Sequence, residues 1–434
     1  MNRIDETMLS EFRNEFRKDA HAKSAQAACA RTEIKDLVFL PGNAAKLSGD
    51  FSIEIKTSAV TAQEKSGRCW MFAALNIIRE RIGKICGIKD FELSENYEAF
   101  YDKLEKANNV LEMAIRYADC DLDDRMMEYI LDGVHDGGYW DMAKDLIKKY
   151  GVMPKWVMPE TYQSSHTQTF LKMYNSLLRK DVCELRKLIR EGKDVTERKK
   201  QMLAEIYKAE CIVYGEPPET FSFEYRDQNG DFHADYDLTP KEFFDRYADL
   251  DLDEFITVTN EPTGHKKMNH PYQFHYIGSM AEGNVYCLNL EMEELKKLTI
   301  AQLQDGMPVW FGCDSGAYGD RQDGVWDPES FDYANVLGGA DFFMNKKDRL
   351  EYRDSFATHA MILTGVNLGK NGKPDRWKIE NSWGKEVGKN GYFVCSDRYF
   401  DEFVYEVIIQ KKYLSEEQKQ MLEMKADELL PWNV

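Results

Sequence analysis

One short segment holds a cysteine in a setting suited to chemistry: Thr61-Ala62-Gln63-Glu64-Lys65-Ser66-Gly67-Arg68-Cys69-Trp70-Met71-Phe72-Ala73. A thiol is a useful nucleophile only as thiolate, and an ordinary cysteine keeps its proton at neutral pH. Ser66 and Gly67 precede an apolar helical stripe, so Cys69 is expected at a helix N-terminus. There the dipole and the unpaired N–H groups lower a thiol pKa. Arg68 is expected to add positive charge beside the sulfur. The helix start offers the Cys69 N–H to a developing oxyanion, and Gln63 can add a side-chain donor.

Such a thiol needs a base. His359, in Ala357-Thr358-His359-Ala360-Met361-Ile362, directly precedes an apolar strand and can reach from its end into a cleft. Asn381 follows within Trp377-Lys378-Ile379-Glu380-Asn381-Ser382-Trp383-Gly384, at an interval that suits the next strand of a meander. An Asn carbonyl can hold an imidazole in one tautomer, and Trp383 can cover that bond and exclude water. Cys69, His359, Asn381 and Gln63 are therefore the candidate catalytic residues.

This ordered set resembles the papain-like cysteine peptidases. With no cysteine at position 66, Ser66-Gly67-Arg68-Cys69-Trp70 resembles their intracellular branch, bleomycin hydrolase and bacterial aminopeptidase C. Asp136-Gly137-Gly138, Pro218-Glu219-Thr220-Phe221, Thr239-Pro240-Lys241-Glu242-Phe243, Val309-Trp310-Phe311-Gly312-Cys313-Asp314 and Thr358-His359-Ala360-Met361 also match that branch. The resemblance implies Cys69 as nucleophile, His359 as base and acid, Asn381 as orienter and Gln63 as oxyanion donor. It implies Gly137 and Gly138 as substrate-binding glycines, whose bare backbone lets an extended peptide pair edge-on. Trp383 and Val434 complete the candidate substrate contacts. Short peptides are the implied substrates and a homohexamer the implied assembly, with no metal or organic cofactor.

The sequence also departs from the family. Ala62 stands where Asn is usual, and Tyr139 where Gln is usual. Family members carry a tail whose terminal carboxylate meets the substrate amine. Here the chain reads Pro431-Trp432-Asn433-Val434, several residues short of that tail. An aminopeptidase is expected first. An oligoendopeptidase freed by the shorter tail is the alternative, and a catalytically dead peptide-binding scaffold the alternative of another class.

Composition bounds the rest. Lys and Arg number 57 against 76 Asp and Glu, a formal charge of −19 over 434 residues. Phosphate neutralisation needs clustered excess cations, so neither nucleic acid nor an anionic membrane is an expected partner. No apolar run approaches the ~20 residues of a spanning helix, and the polar start lacks a signal-peptide core, so the cytoplasm is expected. The other cysteines (Cys29, Cys86, Cys120, Cys183, Cys211, Cys287, Cys313 and Cys395) form no CxxC pair and are expected as small buried residues. Gly384-Lys385-Glu386-Val387-Gly388-Lys389 has the wrong glycine spacing for a phosphate loop, and residues 227–231 lack the Gly and Glu of a calcium loop. His265, His270 and His275 are five apart, unlike ligands on one helix face.

The elements that must position these residues read as α+β, a papain-like helical half and a β-barrel-like half with a cleft between. Residues 1–60 form an N-terminal arm with Leu9, Phe12, Phe16 and Ala20 on one helix face. Residues 61–210 form the helical half bearing the nucleophile, with helices from Cys69 to near Gly83 and at 95–108, 123–132, 140–150 and 171–207. Residues 211–300 form an insertion with a hairpin around Asn229-Gly230 and a helix at Thr239-Pro240. Residues 301–412 form the β-rich half carrying His359 and Asn381. Residues 413–434 form a C-terminal helix to Leu430, opened by Ser415-Glu416-Glu417-Gln418 and followed by a short tail.

Overall fold

A long helix, Cys69–Cys86, runs through the centre of the protein, buried on nearly every side by Trp70, Met71, Phe72, Leu75, Ile77, Ile78 and Ile82. A helix apolar all round belongs inside a core. It ends at Gly87 in the left-handed conformation (φ 64°), whose N–H returns to the Gly83 carbonyl. The computed structural model describes residues 3–281 and 283–433.

Helices Glu95–Arg116 and Trp140–Tyr150 pack against this central rod, and Arg125–Asp132, Gln168–Arg190 and Thr196–Tyr214 pack in turn against Glu95–Arg116. The helical pair expected over 171–207 is Gln168–Arg190 and Thr196–Tyr214.

Against the helices stands one large mixed sheet, which makes the fold α+β. Its centre is an antiparallel ladder of Val404–Gln410, Val309–Cys313, His359–Leu368, Pro374–Glu380 and Tyr392–Ser396. Register places His359 opposite Cys313 and Ile362 opposite Glu380. The first eight residues of His359–Leu368 are buried, and the strand lies against the central helix.

Three strands that the sequence pattern does not announce extend this sheet: Phe255–Thr259, His270–His275 and Asn284–Asn289. His270 and His275 lie on the second of them. The Asn229-Gly230 turn does join a hairpin, Phe221–Arg226 with Phe232–Leu238, and Thr239 caps the helix Pro240–Tyr247 with a full capping box.

Both ends of the chain differ from expectation. The N-terminal helix stops at Lys18, and Asp19 caps a second one, so Ala20 begins Ala20–Cys29. The capping box at Ser415 opens only Glu416–Leu422. Asp427–Leu429 is instead a strand, parallel to Tyr272–Phe274. Asp427 meets Lys267 at 3.3 Å and His270 at 3.2 Å, and Glu428 meets His275 at 3.6 Å. Trp432 then packs against the same apolar cluster of the helical half as Tyr276, with the Arg125 guanidinium 4.8 Å above its ring. Val434 lies outside the described residues.

All nine cysteines are free. Of the eight beside Cys69, only Cys86, Cys287, Cys313 and Cys395 are buried as expected. Cys29, Cys120 and Cys211 are partly exposed and Cys183 is exposed, because the chain turns those positions outward. Among the described residues no helix is long and apolar enough to cross a membrane.

Candidate active site

Cys69 is the first residue of the central helix. Arg68 occupies the N-cap position without a side-chain cap bond, so its side chain does not occupy the first N–H groups of the helix. The preceding loop is held by Asp136, which accepts from Gly67 N at 2.9 Å and Thr167 Oγ1 at 2.5 Å and pairs with Lys103 at 3.2 Å. These partners keep its carboxyl well below the usual range despite its burial. A Cβ on Gly67 would sit 2.9 Å from the Asp136 Cβ, so only glycine allows this approach.

Arg68 does not serve as expected. Its guanidinium is buried and grips Glu160 through two bonds, 3.1 and 2.9 Å, while Nε donates to Ser66 Oγ at 3.0 Å. The charge is neutralised where it lies, and Arg68 fixes the loop instead of activating the thiol.

His359 and Asn381 meet as the meander requires. His359 Nε2 donates to Asn381 Oδ1 at 2.8 Å, which leaves Nδ1 free. Asn381 Oδ1 also accepts from Ser382 N at 2.8 Å, so its carboxamide is held oxygen-first toward the ring. Trp383 stacks on the imidazole, centroids 4.8 Å apart at 24°, and the Arg321 guanidinium lies 5.0 Å over the indole. Trp383 thus shields the His–Asn bond from the side.

Gln63 is tied to the same strand end. Its Oε1 accepts from Ser382 Oγ at 2.7 Å, and its Nε2 donates to Ser66 O at 2.7 Å. The second N–H of that amide is left for the cavity. The backbone seals the same junction: Gln63 N–H donates to Ser382 O at 2.8 Å, Gly384 N–H donates to Thr61 O at 3.0 Å, and Ala62 bridges to Trp383. A Cβ on Gly384 would lie 3.5 Å from the Ala62 Cβ, an ordinary contact.

Cys69, Gln63 and His359 line one cavity of about 430 Å³ together with Gly137, Gly138 and Tyr139. The two glycines sit differently. A Cβ on Gly138 would lie 2.6 Å from the Trp70 ring, whereas nothing lies within 4 Å of one on Gly137. Their segment is pinned from behind. Lys106 Nζ donates to Gly137 O at 2.7 Å, His135 O at 3.1 Å and Asp102 Oδ2 at 3.0 Å. Trp70 Nε1 donates to Asp136 O at 2.7 Å, and Trp310 Nε1 to Trp70 O at 3.0 Å.

Burial raises the Cys69 thiol above its ordinary pKa, although the N–H groups of Ala360, Trp70 and Cys69 favour the thiolate. Burial pushes the His359 imidazole down to about 4, partly countered by its bond to Asn381. In the resting site the thiol and the imidazole are both neutral. Proton transfer from sulfur to imidazole creates both charges at once. At ~4 Å and an effective dielectric of ~20 their attraction is worth about 4 kcal/mol, enough to offset a desolvation penalty of about a thousandfold.

Ser382, Asp136, Lys106 and Trp310 are not singled out by sequence reasoning. Ser382, Asp136 and Trp310 lie inside motifs that are, but their roles depend on partners far away in the chain. Lys106 is one lysine among many on a helix, and no local pattern marks it.

A helix-terminal thiol and an imidazole oriented by a carboxamide, set in one cleft of a papain-like α+β fold, define a cysteine-type peptidase. A model of the Peptidase C1-like family matches residues 3–434, and the chain belongs to that family. It is 44% identical to Aminopeptidase C of Listeria innocua over 98% of this chain and 96% of that protein. It is 38% identical to Aminopeptidase C of Lactococcus lactis subsp. lactis, with 98% of each chain covered. The crystal structure of PepW from Lactobacillus rhamnosis superposes with a TM-score of 0.97 at 42% identity, covering 99% of this chain and 98% of that one.

Proposed function

We propose that this protein removes residues from the free amino end of short peptides in the cytoplasm, using Cys69 as a thiolate. His359 Nδ1 takes the thiol proton, and Sγ attacks the scissile carbonyl carbon. The Cys69 N–H and the Gln63 amide steady the oxyanion. The imidazolium then protonates the leaving amine, and the acyl group stays on sulfur. His359 next takes a proton from water, whose oxygen displaces the thiolate and frees the acid. The observation that carries this reading is the His359–Asn381 bond at 2.8 Å beside a cavity that Cys69 also lines.

Action at the amino end is supported by the tail. The strand Asp427–Leu429 leads along Tyr272–Phe274 to Trp432, which packs against the helical cluster that Tyr276, a residue of the cavity wall, also flanks. The tail thus ends on the same apolar cluster whose Val110, Met113 and Ile130 line the cavity. The relatives above carry the name aminopeptidase, and internal cleavage is not favoured. One peptide in free and acetylated form, compared by kcat/KM before and after iodoacetamide, tests both parts. We expect a preference for the free amine of about a hundredfold or more and complete loss after alkylation. Equal rates on the two peptides would return the endopeptidase reading.

A homohexamer is the assembly we propose. It is supported by the N-terminal helices Glu6–Lys18 and Ala20–Cys29, which bury no residue and leave Met8, Phe12 and Phe16 exposed. Light scattering should give about six times the 50.5 kDa chain mass.

A further inference from the structure

Asp102 lies on the helix Glu95–Arg116, and its carboxyl group is fully buried. Burying a carboxylate is costly unless donors surround it. Ser279 Oγ donates to Oδ1 at 2.8 Å, and Lys103 Nζ and Lys106 Nζ donate to Oδ2 at 2.8 and 3.0 Å. The chemistry above uses none of these bonds.

The donors lead in two directions. Lys106 stands one helical turn after Asp102 and directs its other two hydrogens to the carbonyls of Gly137 and His135, at 2.7 and 3.1 Å. Lys103 pairs with Asp136 of the same segment at 3.2 Å. Burial pushes the Lys106 ammonium down to about 8, opposed by Asp102, so at neutral pH all three of its hydrogens are present. On the other side, Ser279 directly follows Tyr276, Ile277 and Gly278, which line the same cavity as Gly137 and Gly138. The same helix face holds that loop a second time: Asn109, two turns beyond Asp102, donates Nδ2 to Gly278 O at 3.1 Å. A buried ion pair adds little net stability over an apolar core of equal volume. Here its outward bonds end in two segments that bound the cavity.

We propose that Asp102 and Lys106 are positioning residues: one buried hub fixes the spacing between the segment Asp136–Gly138 and the loop Tyr276–Ser279, and with it the fit of a peptide laid along Gly137 and Gly138. This inference rests on the peptidase reading of the cleft.

Ser279→Ala removes one hydroxyl and no charge. Lys106→Met removes the bonds to the glycine segment and leaves Asp102 paired with Lys103. For each variant, kcat and KM for one tripeptide are measured, together with the rate at which iodoacetamide alkylates Cys69. A hydrogen bond to a charged group corresponds to about tenfold or more. We expect each variant to raise KM about tenfold, with kcat and the alkylation rate within about twofold of wild type, because Gln63, His359 and Asn381 are untouched. The double variant raises KM little further, since both changes act on one hub; walls held independently would multiply the losses to about a hundredfold. KM within about twofold of wild type in either variant, a loss carried by kcat instead, or multiplied losses would overturn the proposal. Should Lys106→Met not fold, amide hydrogen exchange of residues 135–138 in Ser279→Ala decides. Exchange about fivefold faster in this other segment supports the proposal, and exchange within about twofold of wild type overturns it. Failure of the peptidase reading is seen separately, as wild-type protein with no iodoacetamide-sensitive hydrolysis of any peptide; the exchange measurement needs no turnover.

Discussion

In the proposed mechanism Cys69 draws its reactivity from three neighbours placed by different parts of the chain. Replacing it with Ala or Ser should abolish hydrolysis, while replacing any of the other eight cysteines should leave kcat/KM within a few fold. His359→Ala should lose nearly everything, since both proton transfers need it. Asn381→Ala should lose less, because it orients a ring and transfers no proton. Gln63→Ala should cost roughly 10²–10³ in kcat, the usual size for one oxyanion donor; an unchanged rate would assign the oxyanion to other donors. Burial also links His359 to stability. With Cys69→Ala no thiolate can form, and the folded imidazole titrates at about 4 against ~6.5 unfolded. The unfolded chain then binds the proton more readily, so the stabilisation is full above ~6.5 and lost as pH falls through about 4. That is worth about 3 kcal/mol. Urea midpoints of Cys69→Ala should drop over that window, and those of Cys69→Ala/His359→Gln should drop less. At this scale the sequence is readable because thiol, imidazole and carboxamide are uncommon in such order. Arg68 is misread because its partner, Glu160, is 92 residues away.

Elements hold these groups in register. The central helix and the strand Pro374–Glu380 are joined by a buried ion pair, Arg79 Nη2 to Glu380 Oε1 at 2.8 Å, one residue before Asn381. Arg79→Met should leave Glu380 buried without its partner and cost about 3–5 kcal/mol in urea unfolding. A loss below about 1 kcal/mol would mean that Glu380 takes up a proton or another partner. The glycine pair offers a finer comparison. Gly138→Ala drives a methyl into the Trp70 ring and should cost about 1–3 kcal/mol with a loss of turnover, whereas Gly137→Ala has open space and should keep its stability. Helix positions are legible from apolar spacing: the helix expected at 140–150 is Trp140–Tyr150. Phe255–Thr259 is not, because a strand buried along its whole length has no alternation to read. The segment 424–430 contains good helix formers, yet Asp427–Leu429 pairs with Tyr272–Phe274, a case of tertiary contact overriding local preference.

For the whole molecule, the two ends of the chain matter most, and both are the hardest to read. The tail pairs with a strand more than 150 residues upstream, from Lys267 to Asp427 by 160 positions, and the first two helices bury no residue at all. Trp432→Ala, combined with Asp427→Ala and Glu428→Ala, should loosen the tail and lower the preference for free over acetylated peptide by about tenfold or more. An undiminished preference would place amine recognition elsewhere. The separation of the catalytic groups along the chain has a consequence in time. Cys69 precedes His359 by 290 residues and Asn381 by 312. At about 5–20 residues per second, the ribosome needs roughly 15–60 s to travel from the thiol to its base. Throughout that interval the nascent chain carries a helix-borne thiol without the imidazole to ionise it. Proteolytic competence therefore arrives late in synthesis, and a chain abandoned midway is released without it.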